Sequence, residues 1–202
     1  AEVERARQWM CENFYDIRMF GAVMTTGVNC GQVRGPVQIT FARSIDAIVP
    51  LDLSITRVAV TREEDAKVVT ADEDGQGRGG KQTEMGRKAL VPYALYRAYG
   101  FFNPHFAEQT GANDEDLALL WDALQQMWDL DRSASRGLMA CRGLYVFTHE
   151  KPLGNAPAHE LLRRVQVVRQ STSQVPRSFE AYEVTVDDRD LPQGVVLTRL
   201  VS

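Results

Sequence analysis

Two groups of cationic residues carry the composition that holds phosphate. In the first, Arg18 and Arg34 lie within the stretch 16–45, DIRMFGAVMTTGVNCGQVRGPVQITFARSI. Gln32 stands beside Arg34, and Gly21, Gly27, Gly31 and Gly35 punctuate the run. Glycine lets a backbone turn or approach another chain closely. N–H groups opened by such residues, next to guanidinium groups, suit phosphate oxygens. In the second group Arg78, Lys81, Arg87, Lys88 and Arg97 stand against a single acid, Glu84, with Met85 and Tyr93 interleaved. Charge for a backbone and a soft or flat surface for bases is what single-stranded nucleic acid requires. The residues alone also admit a plainer reading: a packed turn with two surface arginines, and Tyr93, Leu95 and Tyr96 packed into a sheet.

Catalytic chemistry finds less support. His105, His149 and His159 are far apart and lack metal-binding spacings such as H-E-x-x-H. There is no G-x-S-x-G and no Walker loop. Asp46 and Asp52 have the chemistry to ligate a metal, but no constellation singles them out. Gly75, Gly77 and Gly80 match G-x-G-x-x-G, yet Asp72, Glu73 and Asp74 precede them, where they would repel a pyrophosphate. KQTEMG, which follows, is a poor helix start, so dinucleotide binding is excluded. No cofactor and no metal are expected. A metal-dependent endoribonuclease remains the alternative from another class.

These residues need elements to position them. Val3, Ala6, Met10 and Phe14 recur at helical spacing and predict a helix over 2–15. After Pro36 the chain alternates, with Val37, Ile39 and Phe41 on one face and Gln38, Thr40 and Ala42 on the other. That is a strand with one face on a core and one available. A second strand is expected over 51–60, and the polar, glycine-dense segment 61–80 then projects as an arm or hairpin. Asn113 with Asp116 resembles a capping box, and Leu117, Leu120, Trp121, Leu124, Met127 and Trp128 form an apolar stripe to about Leu130. A strand over 138–148 buried on both faces, a helix over 158–164 and three further strand candidates complete the chain. Helices and strands mix with no βαβ repeat, which favours α+β over a doubly wound sheet.

The 202 residues carry a net charge of -4, so nucleic-acid binding must rest on local charge. Cys11, Cys30 and Cys141 form no C-x-x-C pair and read as reduced, cytoplasmic thiols. No apolar run approaches the ~20 residues that cross a bilayer, and no membrane partner is expected.

CGQVRGPVQITFARSID, preceded by DIRMFGAVM, resembles the backbone subunit of CRISPR type I surveillance complexes (Cascade), most nearly its type I-C form. The resemblance extends through RVAVTREEDAKVV, EMGRKALVPYALYRAYGFFNPH and SRGLMACRGLYVFTHE. It implies an α+β fold with an RRM/ferredoxin-like palm over a single domain, 1–202. An inserted thumb hairpin at about 61–88 and a helical insertion at about 104–132 belong to it. That family opens with a hydrophobic strand and a glycine- and asparagine-rich loop. This chain starts at AEVERARQW, apparently inside a helix, and reads as a piece of the full subunit. The resemblance implies a non-catalytic subunit that polymerises along CRISPR RNA in a helical filament. Its partners would be further copies of itself, other Cascade subunits and the target DNA strand paired to the guide. Arg18, Arg34, Lys81, Arg87 and Lys88 are then the expected phosphate ligands. Gly31 and Gln32 position the backbone, and Met85 is the wedge between bases.

Overall fold

The computed structural model describes residues 2–25, 29–57, 84–134, 136–172 and 174–202. They fall into two compact units, one formed by 1–46 with 95–202 and the other by 47–94. Helices and antiparallel strand pairs mix throughout, an α+β fold. Among the described residues the strands pair only in twos, so the continuous sheet of an RRM/ferredoxin-like palm is not assembled from them.

In the first unit, α1 (Glu2–Asn13) spans nearly all of the helix expected over 2–15, and a second helix, α2 (Tyr15–Phe20), takes up the start of the glycine-punctuated stretch 16–45. Two apolar residues on the short α2 divide the core. Ile17 packs with Cys11 of α1 and Val33, while Met19 packs with Val37 and Leu120. Met19 is wholly buried, which at this side-chain size stabilises by about 1.5–3 kcal/mol.

α2 ends directly in the hairpin of β1 (Gly21–Met24) with β2 (Gly31–Arg34), in which Gly21 faces Arg34 across the ladder. Gly21 and Gly35 meet there. A Cβ on Gly35 would lie 2.2 Å from the Phe20 carbonyl carbon and 2.4 Å from the Gly21 nitrogen. One on Gly21 would lie 2.5 Å from the Val33 carbonyl oxygen. Gly21 also needs its positive φ of 81° to turn out of the helix.

The chain then runs through β3 (Val37–Ile39) and β4 (Arg43–Ser44), paired with β8 (Gly100–Phe102) and β7 (Tyr96–Arg97). Between the pairs Ile39–Gly100 and Arg43–Arg97 the first strand carries one residue more than its partner. Such a bulge breaks the alternation. Val37 is buried as expected, but Ile39 is half exposed and Phe41 is 98% exposed instead of facing the core. The ladder closes on the Ile45 N–H, which donates to the Leu95 carbonyl.

Asn103 ends β8 and caps α3 (Pro104–Thr110), its side chain accepting the N–H groups of His105 and Phe106. Gly111, at φ 79°, closes α3. Asn113 and Asp116 then form the expected capping box of α4 (Asp114–Leu130). Leu117, Leu120, Trp121 and Leu124 of its stripe pack around Met19 and Val37, while Met127 stays at the surface.

Beyond it, β9 (Leu144–His149) pairs with β12 (Val195–Val201), and β10 (Val165–Arg169) with β11 (Tyr182–Val186). A short helix, α5 (Ala158–Leu162), precedes β10. The strand expected over 138–148 starts later, at Leu144; Leu138 is exposed, and β9 is mostly half-buried.

α4 is tied to the N-terminal part by a paired salt bridge. Arg18 donates from Nε to Asp116 Oδ2 at 2.9 Å and from Nη2 to Oδ1 at 2.7 Å, with side chains 18% and 8% exposed. Hydrogen bonds from Arg18 hold the Asp116 carboxyl below the usual carboxylate range, against the opposing effect of burial. A depressed carboxylate contributes its stability above the unfolded-state value and loses it as pH falls through the folded one. Chemical denaturation at pH 7 and below about pH 4 checks this. The gap in midpoint between wild type and Asp116→Asn is expected to narrow on acidification.

The second unit holds one hairpin among its described residues, β5 (Leu51–Arg57) with β6 (Glu84–Leu90). Most of the expected arm, 61–83, with Lys81 and the glycines at 75, 77 and 80, lies outside the described residues.

Candidate nucleic-acid interface

The β1–β2 hairpin and the start of β3 enclose an open groove of about 480 Å³, lined by Phe20, Val23, Gln32, Arg34, Gln38 and Phe106. It brings together two residues expected from the sequence, Gln32 and Arg34. Both are exposed. Among the described residues no carboxylate pairs with Arg34. Its guanidinium is carried on a strand whose other face is anchored by buried Val33.

Arg18 is placed differently from the expectation. Besides Asp116, its guanidinium donates to the carbonyls of Cys11 and Glu12 from Nη1, at 2.7 and 3.3 Å. All three nitrogens serve the fold, and the residue is not part of the groove lining. The expectation that glycines leave N–H groups open also changes. The Gly31 N–H donates to Asn29 Oδ1 at 2.9 Å, and the Gly21 N–H to the Ile17 carbonyl. Gly31 shapes the entry to β2 through its φ of 78°, with the Arg7 guanidinium beside it. Gln38 and Phe106 were not singled out for this site. The alternation after Pro36 had already put Gln38 on the open face; Phe106 had no such signal.

In the second unit the strand period separates two adjacent bases. Arg87 lies opposite Ser54 and Met85 opposite Thr56, whereas Lys88 lies opposite Leu53. Met85 and Arg87 therefore share the polar face with Asp52, Ser54 and Thr56. Lys88 shares the other with Leu51, Leu53 and Ile55. The run Arg87–Lys88 cannot grip one strand of RNA from a single face. Arg87 makes an exposed 2.8 Å pair with Asp52. Such a pair is worth about 0–1 kcal/mol and yields readily to a phosphate. Met85 is 78% exposed, as a side chain that inserts between bases must be.

The acids considered for metal binding are both engaged. Asp46 accepts the Tyr182 hydroxyl at 2.7 Å and faces Arg169 Nη1 at 3.6 Å, and Asp52 holds Arg87. Among the described residues no three His, Cys, Asp or Glu side chains cluster for a metal. No helix of the described residues is long and apolar enough to cross a membrane.

No curated protein matches this chain. One solved structure that it resembles is a chain of a "CRISPR RNA-guided surveillance complex, pre-nicking", at 16% identity and a TM-score of 0.46. The match covers 77% of this chain and 40% of that one. The chain thus spans less than half the length of that relative. The family model of CRISPR-associated protein Cas7 matches residues 1–187, and the chain belongs to that family.

Proposed function

We propose that the chain is a non-catalytic, CRISPR RNA-binding part of a type I Cascade backbone subunit. Copies would follow one another along the guide in an open helical filament, a head-to-tail contact that does not close. The protein would hold the RNA backbone, together with other Cascade subunits, and leave the bases to pair with a target DNA strand. Sequence reading is thereby delegated to the guide. The thumb of the expected palm would include the β5–β6 hairpin, with Arg87 toward phosphate and Met85 toward bases. The observation that carries this reading is the Arg34 groove, where a guanidinium that no carboxylate pairs among the described residues shares the lining with the Gln32 and Gln38 amides. Family membership supports it.

Titrating single-stranded RNA against the chain at several salt concentrations tests this. Arg34→Ala is expected to weaken binding similarly for unrelated RNA sequences and to make the salt slope shallower by about one unit. Unchanged affinity and slope would remove RNA from this groove.

A further inference from the structure

The run FFNPHF, residues 101–106, forms an aromatic groove at the surface. Phe101 and Phe102 of β8 are 45% and 38% exposed. The Asn103 cap turns the chain into α3 and sets His105 and Phe106 beside them. The opposite wall is Pro152 and Leu153, on a loop held by its own hydrogen bonds. The Lys151 N–H donates to Asn155 Oδ1 at 3.0 Å. The Asn155 N–H donates to His149 Nδ1 at 2.9 Å, and its side-chain amide donates to the Gln193 carbonyl at 3.1 Å. Between the walls lie about 360 Å³, and among the described residues no carboxylate, ammonium or guanidinium lines them.

Gln38 and Phe106 line this groove and the Arg34 groove alike, so the two adjoin across these side chains. One end is cationic and the other flat and apolar, which is the complement of a nucleotide. Gln38 offers an amide for a base edge. Its nitrogen makes only a 3.5 Å contact with the Gly35 carbonyl. We propose that the Phe101–Phe106 groove receives one unstacked base of single-stranded RNA whose phosphate lies at Arg34. The proposal rests on the RNA-binding reading above and adds a base subsite to it. The base stacks on an exposed phenyl ring, which tolerates any base because every base has a π-face.

The test measures affinity of the full chain for a single-stranded RNA of mixed sequence and for the same backbone made abasic. Phe101→Ala is expected to weaken binding of the base-bearing RNA roughly 5- to 150-fold, the range of one stacking contact, at unchanged salt slope. The loss disappears on abasic RNA, and Phe101→Tyr restores binding. Because Phe101 is half exposed, its removal should leave the thermal midpoint nearly unchanged, which is measured in parallel. Equal binding of base-bearing RNA by wild type and Phe101→Ala, with Arg34→Ala still weakened, overturns the base subsite and leaves the RNA reading standing. A groove that docks a peptide gives that same result. Absence of RNA binding altogether overturns both.

Discussion

Asp116→Ala is expected to lower stability by about 3–5 kcal/mol, the cost of breaking a buried pair and leaving one charge behind. Two losses combine. Arg18 keeps the carbonyls of Cys11 and Glu12 but loses both carboxylate oxygens. The Asn113 N–H loses its acceptor, Asp116 Oδ2, so α4 also loses half its capping box. Caps of this kind contribute about 1 kcal/mol by themselves. Asp116→Asn separates the two, because its amide oxygen can still accept the Asn113 N–H while the charge is gone. For a chain of this size each kcal/mol moves the thermal midpoint by about 2–4 °C. Thermal unfolding should therefore show a drop of roughly 6–20 °C for the alanine variant and a smaller one for the asparagine variant. Equal midpoints for all three proteins would mean that the pair contributes nothing net.

Gly35→Ala is expected to cost about 3 kcal/mol or more, at or beyond the upper end of ordinary overpacking. The three atoms that its Cβ would meet, at 2.2–2.5 Å, all belong to the backbone of residues 19–21. No side chain can swing aside, so either α2 or the β1–β2 hairpin must shift. Arg34 is the neighbouring residue, and RNA affinity should fall with stability. Gly86→Ala is the matched control: a Cβ there meets nothing within 4 Å. Denaturant midpoints of the two variants decide it; a Gly35 variant as stable as the Gly86 one would show that the crossing has room to relax.

Local chemistry was legible in the sequence where the spacing itself names the partner. Asn113 and Asp116 stand three residues apart and cap α4 as the spacing says, and the apolar stripe follows to Leu130. What failed were properties set by distant partners. Arg18 finds Asp116 98 residues away, and Asp46 finds Tyr182 136 residues away; no periodicity carries such information. Phe41 was assigned to the core by alternation, but alternation holds only while the register does, and one extra residue in that strand turns Phe41 outward. Arg87 and Lys88 looked like one basic track because composition counts charges without regard to side. The period of two in β6 divides them. Arg34 is exposed between buried Val33 and Gly35, and among the described residues no carboxylate pairs with it.

The bond from the Ile45 N–H to the Leu95 carbonyl has an evolutionary consequence. The chain leaves the first unit and re-enters it on neighbouring strands, roughly 5 Å apart. The cost of a longer excursion between these two points is one of loop closure. Doubling the excursion adds only about 0.6 kcal/mol of closure entropy. The base of the arm is thus a permissive junction.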